Sequence, residues 1–497
     1  MSQSLIVDDK IYLGTSTKPE YLELRFANRH GLITGATGTG KTVSLQVLAE
    51  GFSDAGVPVF AADIKGDLSG IAAVGEPKDF ILKRNKLIGL DQYENRAFPT
   101  ILWDVFGESG HPVRATVLDM GPLLLSRLLE LNEVQEGVLN IAFRVAADEK
   151  LPVVDLKDLR ALINNVGERS KELTTTYGNI ATTSVGSIQR RLLVLEEQGA
   201  DKFFGEPALD IADLMRIAPD GRGVVNLMTA DKLMQKPRLY STFLLWLLSK
   251  LWQTLPEVGD QPKPKLVFFF DEAHLLFDEA PKPLMERIEQ VARLIRSKGV
   301  GVYFITQNPL DVPDTVSSQL GNRIQHALRA FTPKEQKAIK AAAETFRANP
   351  NLDTESVIKE LKVGEALVST LENKGEPSIV ERTMMRPPEG RIGPVSEEER
   401  LGLVEYSPVY GKYEEAVDRE TAHEMLSRRT EQAAQEASTQ GGGGGWSDVI
   451  FGGTNPATGR KNQGMGTMVA KELQRSVSRS VATIVKNIIL KSIGLRR

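Results

Sequence analysis

The chain has 497 residues, a length that predicts two or three folded units. It is 41% hydrophobic and 25% charged, which is ordinary for a globular protein, and its formal net charge of −4 excludes an overall basic protein. Any nucleic-acid surface must therefore be local. The sequence contains no cysteine, which excludes disulfides and thiolate metal sites. It shows neither a signal-peptide pattern nor an uninterrupted apolar run of about 18 residues. We therefore expect a cytoplasmic protein without a membrane-spanning helix.

Residues 1–84 predict the first part of an α/β core. A short β-like segment, Gly31–Thr34, precedes a glycine-rich loop and then a helix whose apolar residues recur at helical spacing. The apolar run 57–62 follows and is typical of a buried strand. This order of strand, loop, helix and strand is the beginning of a doubly wound sheet.

Residues 85–260 are interpreted as a large helical insertion, because helical patterns predominate there and strand patterns are weak. The predicted helices cover residues 123–146, 156–166, 184–198 and 240–255.

Strand patterns resume in residues 261–390, which we interpret as the second part of the core. The predicted strands cover Leu266–Phe270 and residues 302–306, 324–328, 366–371 and 378–381. A helix over 283–298 is predicted from an apolar stripe of Leu284, Ile288, Val291 and Ile295. The fold class is therefore α/β with a mostly parallel sheet. A charged helical extension, 391–440, and a glycine linker with a basic tail, 441–497, complete the chain.

The loop after the first core strand matches the phosphate-binding pattern G-x-x-x-x-G-K-[ST] at every fixed position. Its residues are Gly35, Ala36, Thr37, Gly38, Thr39, Gly40, Lys41 and Thr42. Glycines let the backbone wrap phosphate oxygens, and the following helix directs its positive dipole end at them. We expect Lys41 to pair with the β- and γ-phosphates of ATP and Thr42 to ligate Mg²⁺.

Two adjacent carboxylates, Asp271 and Glu272, follow the apolar strand Leu266–Phe270. Asp271 is the predicted second protein group for Mg²⁺, and Glu272 is the predicted general base for the attacking water. Since the base stands beside the metal ligand, the pair favours an ATP hydrolase over a kinase.

Two further strand ends carry polar residues. Gln307 follows the strand at 302–306 and is our candidate for sensing the γ-phosphate, from a position between the two acidic strands. The turn Asp63-Ile64-Lys65-Gly66-Asp67 ends the strand at 57–62, at the carboxyl edge where ligands bind in open α/β sheets. It is either part of the site or simply a charged turn.

Four segments form a combination that is specific to one family. They are GLITGATGTGKT at 31–42, AADIKGD at 61–67, KLVFFFDEAH at 265–274 and RLIRSKGVGVYFITQNP at 293–309. Together they resemble the bacterial HerA-like helicase family, a branch of the HerA/FtsK superfamily of P-loop ATPases. The similarity runs from about residue 20 to 400 and includes the helical region.

The resemblance implies a RecA-like core that assembles as a ring, as a hexamer in the family, and moves DNA or opens duplexes. Gln307 falls on the strand-end glutamine of the superfamily. Arg296 matches its arginine finger, and Arg323 is a looser match to a second arginine near the γ-phosphate. HerA proper begins with a small β-barrel, for which the thirty residues before this loop are too few, so partners that dock on that barrel are in doubt.

An alternative function from another class remains open, namely an ATP-dependent switch or assembly factor acting on protein partners.

The basic tail is compatible with several roles. Residues 454–497 contain nine basic residues and one acidic residue around an apolar helical stripe. Such a helix can pack against another subunit, bind DNA phosphates or contact an anionic membrane surface peripherally.

Overall fold

The computed structural model describes residues 5–90, 93–277 and 282–440. The chain divides into two compact units, Met1–Ala422 and His423–Arg497. The described part of the second unit belongs to one helix, whereas the first unit holds the sheet, its covering helices and the predicted phosphate loop. Our predictions for the linker and tail, 441–497, lie outside the described residues.

The described part of the chain contains fifteen strands. They are β1 (Ile6–Val7), β2 (Lys10–Thr15), β3 (Pro19–Glu23), β4 (Gly31–Thr34), β5 (Val59–Asp63), β6 (Thr100–Asp104), β7 (His111–Pro112), β8 (Val225–Thr229), β9 (Leu266–Phe270), β10 (Val300–Thr306), β11 (Asn322–Gln325), β12 (Glu365–Ser369), β13 (Leu371–Glu372), β14 (Glu376–Pro377) and β15 (Glu381–Met385).

The same residues form sixteen α-helices. They are α1 (Lys41–Asp54), α2 (Asp79–Ile88), α3 (Val117–Leu128), α4 (Glu133–Asp148), α5 (Leu156–Glu168), α6 (Ser170–Tyr177), α7 (Thr182–Glu197), α8 (Ile211–Leu214), α9 (Pro237–Thr254), α10 (His274–Phe277), α11 (Lys282–Leu294), α12 (Asp314–Ser317), α13 (Pro333–Glu344), α14 (Thr354–Glu360), α15 (Glu397–Glu405) and α16 (Ala422–Gln440).

One mixed sheet organises the first unit, in the order β1-β2-β15-β12-β11-β4-β10-β9-β5-β8-β6-β7, with β3 also paired to β2. All neighbours from β11 to β7 are parallel. The pairs among β11, β12, β15, β2, β1 and β3 are antiparallel. The predicted mostly parallel α/β architecture is confirmed.

Helices cover both faces of the parallel strands, which explains why those strands are apolar throughout. On one face Phe52 of α1 packs against Phe269 and Tyr303, with ring centroids 6.2 and 5.9 Å apart. On the other face Phe60 packs against Phe243 of α9 at 6.4 Å. Phe60 and Phe52 are fully buried. The rigid core therefore fixes the ends of β4, β9 and β10 relative to one another.

The structure corrects our interpretation of residues 85–260. Strands β6, β7 and β8 lie in this range and pair into the main sheet, so the range is not wholly helical. The predicted helix over 123–146 is two helices, because Asn132 caps α4 through reciprocal hydrogen bonds with Gln135. Isolated short strands were missed because periodicity cannot distinguish them from loop segments between helices.

Two smaller expectations also differ from the structure. Residues 378–380 precede β15 instead of forming it. Strand β10 lies between β4 and β9, whereas the two acidic strands β5 and β9 are direct neighbours. Gln307 therefore follows the strand beside the phosphate loop, not a strand between the two acidic ones.

Candidate active site

The predicted functional residues meet because parallel strands end at a common edge of the sheet. Thr34, the last residue of β4, is level with Thr306, the last residue of β10. Phe270, the last residue of β9, is level with Phe304 and with Ala62 of β5. The phosphate loop, the acidic pair after β9 and the polar residue after β10 consequently stand side by side.

The loop between β4 and α1 has a backbone that requires glycine at two positions. Gly40 has φ of +116° as the residue before α1, a conformation that side chains strain. A Cβ at Gly35 would lie 2.5 Å from Cβ of His326, so any side chain there would displace a buried residue. These glycines fit both the conformation and the close packing of a phosphate-binding loop.

Lys41 is buried at the start of α1, and its Nζ donates to the carbonyl oxygens of Gly35 and Ala36 at 2.7 and 3.2 Å. Burial lowers the pKa of Lys41, while the charges of Glu272 and Asp271 oppose that shift. The ammonium group therefore lies within the loop itself, close to both carboxylates.

Asp271 and Glu272 have different electrostatic environments although they are adjacent. Burial, reinforced by the charge of Glu272, raises the pKa of Asp271 to about 6. For Glu272 burial also acts to raise the pKa, but the hydrogen bond and charge of Lys65 outweigh it and lower the pKa overall. Glu272 thus remains ionised, and its φ of +48° is a left-handed conformation that is strained for a residue with a side chain.

A polar network connects Glu272 with the phosphate loop. Gln307 is exposed; its Nε2 lies 3.4 and 3.3 Å from the two carboxylate oxygens of Glu272, and its Oε1 accepts from Thr37 Oγ1 at 3.3 Å. Lys65 Nζ donates to Glu272 Oε1 at 2.7 Å. Of the two interpretations of the turn after β5, the structure therefore favours membership of the site.

Asp271 and Thr42 have the donor chemistry of a Mg²⁺ site. Thr42 is partly exposed one residue into α1, and Asp271 is buried with a raised pKa beside a second carboxylate. A divalent cation relieves this crowding of negative charge, and oxygen donors are what Mg²⁺ prefers. Within the described ranges no group of three or more His, Cys, Asp or Glu side chains is arranged to hold a metal ion.

His326 was not identified from the sequence as part of the site, although its side chain packs against the phosphate loop at Gly35. It is fully buried, its Nδ1 donates to the carbonyl of Glu365 at 2.9 Å, and its Nε2 accepts from Ser44 Oγ at 2.8 Å. Burial lowers the pKa of His326 to about 4, so the ring is neutral. A histidine without a surrounding motif gives no signal in one sequence.

The two predicted arginines do not reach this edge in their own chain. Arg296 precedes β10, whereas Gln307 follows it, and a strand of seven residues spans roughly 20 Å. Arg296 is 40% exposed, with Nη2 3.3 Å from Asp260. Arg323 is level with Leu32 in the sheet, and its Nη2 donates to the carbonyl of Ser317 at 2.8 Å.

The predicted helix over 283–298 is α11 (Lys282–Leu294) followed by a 3₁₀ turn, Ile295–Lys298, which carries Arg296. Ile288, Val291 and Ile295 are buried as predicted, while Arg293 is exposed. The side chain of Leu284, the fourth member of the predicted stripe, lies outside the description.

Comparison with known proteins decides the family. The chain matches the family described as Helicase HerA-like C-terminal over residues 8–497. This protein belongs to that HerA-like helicase family. The HerA-like chain is 24% identical over 349 residues to the DNA double-strand break repair helicase HerA of Saccharolobus solfataricus, covering 68% of this chain and 61% of that relative. It is also 34% identical over 116 residues to the probable helicase MJECL08 of Methanocaldococcus jannaschii, covering 22% and 20%. The matches therefore span less than two thirds of either relative.

Solved structures show the same fold at low sequence identity. The bacterial conjugative coupling protein TrwB, without its first 70 residues, is 14% identical with a TM-score of 0.50, over 76% of this chain and 92% of that one. VirB4 of Thermoanaerobacter pseudethanolicus is 15% identical with a TM-score of 0.50, over 76% and 96%. The HerA-like chain thus has a RecA-like P-loop fold, and family and fold together support a P-loop ATPase. None of the described helices is long and apolar enough to cross a membrane.

Proposed function

We propose that this HerA-like protein binds Mg·ATP on residues 35–42 and hydrolyses it to drive movement along DNA as a ring of identical subunits. The observation that carries the proposal is the convergence of Lys41, Asp271, Glu272 and Gln307 at one edge of the sheet. A phosphate loop alone supports nucleotide binding, but a buried, ionised carboxylate linked to that loop also supports hydrolysis.

Each residue has a distinct part in the proposed reaction. Lys41 exchanges its bonds to loop carbonyls for bonds to the phosphates, and Thr42 with Asp271 would hold Mg²⁺. The metal, when bound, neutralises phosphate charge. Glu272 accepts the proton of the attacking water, and Gln307 reports the state of the γ-phosphate to Glu272 through their contact.

The ring is proposed from the position of Arg296. Because this side chain lies beyond the opposite end of β10 from its own phosphate loop, it serves the γ-phosphate only if it belongs to a neighbouring subunit. A ring of such subunits, a hexamer in our proposal, places one subunit's amino edge against the next subunit's site. Arg323, held by the Ser317 carbonyl, is proposed for the same interface after release of that bond.

DNA is proposed as the track because the relative from Saccharolobus solfataricus is described as a DNA double-strand break repair helicase. The test is the ATPase rate of the full chain alone, with single-stranded DNA and with double-stranded DNA at matched nucleotide concentration. We expect a several-fold stimulation by at least one form. If neither form of DNA changes the ATPase rate, the proposed DNA motor is refuted and the switch acting on protein partners is favoured. If the chain does not hydrolyse ATP at all, both functions are refuted.

A further inference from the structure

We propose that Lys65 is a positioning residue for ATP hydrolysis: it fixes the carboxylate of Glu272 for the attacking water and contributes little to nucleotide binding. The inference deepens the proposed ATPase function and rests on it. The observation is the ion pair of Lys65 Nζ with Glu272 Oε1 at 2.7 Å, formed between the turn after β5 and the end of β9.

The backbone at Glu272 shows why a restraint is needed. With φ of +48°, Glu272 turns away from the strand direction immediately after Asp271, whose Oδ1 accepts from the Glu272 amide at 2.9 Å. A single left-handed residue is held in place only when its surroundings over-determine it. The backbone contact fixes the start of the side chain, but the carboxylate at its end needs a partner of its own.

Lys65 is the strongest of the partners at the carboxylate. Gln307 Nε2 lies at 3.3 and 3.4 Å from the two oxygens, and His274 Nδ1 lies 3.5 Å from Oε2, all longer than the 2.7 Å ion pair. Since Lys65 takes Oε1, the contacts of the other oxygen with described residues are the longer ones to Gln307 and His274, and this oxygen is the one that can accept a proton from water.

The local fold determines that Lys65 reaches this position. Strands β5 and β9 are direct neighbours with Ala62 level with Phe270, so the residues that follow each strand lie together. Asp63 accepts from the Leu68 amide at 3.2 Å, and Gly66 has φ of +75°, which closes the turn that carries Lys65. The side chain is 46% exposed, whereas that of Glu272 is 7% exposed, so Lys65 approaches from the solvent side.

The experiment compares the full-length parent with Lys65→Met, which keeps the unbranched apolar stem but removes the ammonium group, and Lys65→Arg, which keeps the charge. ATPase rates give kcat and KM, and a non-hydrolysable ATP analogue with Mg²⁺ gives Kd. For Lys65→Met we expect kcat to fall about 10- to 100-fold, as for other misplaced catalytic groups, with KM and Kd changed by less than about 3-fold. Lys65→Arg should recover most of the lost kcat.

A double substitution separates positioning from a general effect on the fold. If Lys65 acts through Glu272, Lys65→Met should cost no further activity in a Glu272→Gln chain. Parental kcat in Lys65→Met, or a Kd that rises as much as kcat falls, would overturn the proposal. Failure of Lys65→Arg to recover activity, with its Tm equal to the parent, would overturn it too. A parent that does not hydrolyse ATP would instead refute the proposed ATPase function.

Discussion

The two ends of the central strands of this HerA-like protein differ in how their charged groups are held. At the carboxyl edge Lys41, Lys65, Glu272 and Gln307 bind one another or the phosphate loop within a single chain. At the amino edge Arg296 is 40% exposed and makes one 3.3 Å contact with Asp260, itself 84% exposed. An exposed pair of this kind contributes little to stability.

The difference indicates a division of labour between the edges. A network formed within one chain around the buried carboxylate of Glu272 keeps its geometry without help from a partner, which suits the groups that bind nucleotide and activate water. A long, weakly held arginine on the surface suits a group that must leave its resting contact and enter another subunit's site. The carboxyl edge should therefore be sufficient for nucleotide binding, and the amino edge should be necessary for ATP turnover.

The largest expected effect is at the carboxyl edge, in Glu272→Gln. This change keeps shape but removes the base, so turnover should fall by up to about 10⁴-fold while Mg·ATP binding is retained. Lys41→Ala is the matched comparison, since it removes a ground-state phosphate contact and should abolish tight binding. ATPase rates and nucleotide binding measure the two effects. Hydrolysis by Glu272→Gln at the parental rate would show that Glu272 is not the base.

At the amino edge Arg296→Ala should lower turnover about 10³-fold if the side chain acts as an arginine finger in a neighbour. Arg293→Ala is the matched control, because Arg293 is exposed three residues earlier and should change little. Mixing Arg296→Ala with Lys41→Ala subunits should restore part of the activity, because a mixed interface pairs an intact finger with an intact loop. Full activity of Arg296→Ala alone would contradict the role in a neighbour.

The sequence predicted the carboxyl edge well because its signals are local. Residues 35–42 and the pair Asp271–Glu272 each directly follow a strand: β9 was located from a run of apolar residues, and β4 from a short β-like segment before the glycine-rich loop. Their parallel arrangement follows from the helix and crossover lengths between them. The α/β class and the family were therefore accessible without coordinates.

The site contacts that could not be predicted from the sequence join residues that are hundreds of positions apart in the chain. Lys65 meets Glu272 across 207 positions, and His326 meets Ser44 across 282. Neither pair has a spacing rule, because strand order alone brings them together. The neighbours of β10 were mispredicted for the same reason: strand order is set by packing of the whole sheet, not by the sequence near Gln307.

Two of the buried histidines, one at each edge, allow a smaller test of both edges through pH. Burial lowers the folded-state pKa of His326, at the carboxyl edge, and of His30, at the amino edge, to about 4. Because an unfolded histidine titrates near 6.5, the unfolded chain binds more protons between pH 6.5 and 4. The contribution of each neutral ring to the free energy of unfolding is complete above pH 6.5 and is lost as the pH falls towards 4. The loss amounts to about 3 kcal/mol per histidine.

Urea unfolding at pH 7.5 and pH 5 measures this effect in the parent, in His326→Gln and in His30→Asn. Each substitution should reduce the acid loss of stability by a similar amount. Only His326→Gln should also weaken nucleotide binding, since His326 packs against Gly35, whereas His30 accepts from the Val302 amide at the far end of β10. Equal effects of both variants on nucleotide binding would remove the proposed separation of the edges.

The smallest expected effect on hydrolysis comes from removing residues 441–497, since both edges lie in the unit Met1–Ala422. Basal ATPase of the truncated chain should stay within about 2-fold of the full chain. If the basic tail binds DNA phosphates, DNA affinity should fall, most strongly at low salt where phosphate contacts are least screened. A salt series of DNA binding for both chains measures this, with a third chain of full length in which the nine basic residues of 454–497 are replaced by glutamine as the length-matched control. Equal affinity of all three chains at every salt concentration would exclude DNA binding by the tail and leave packing against a subunit or contact with an anionic membrane surface.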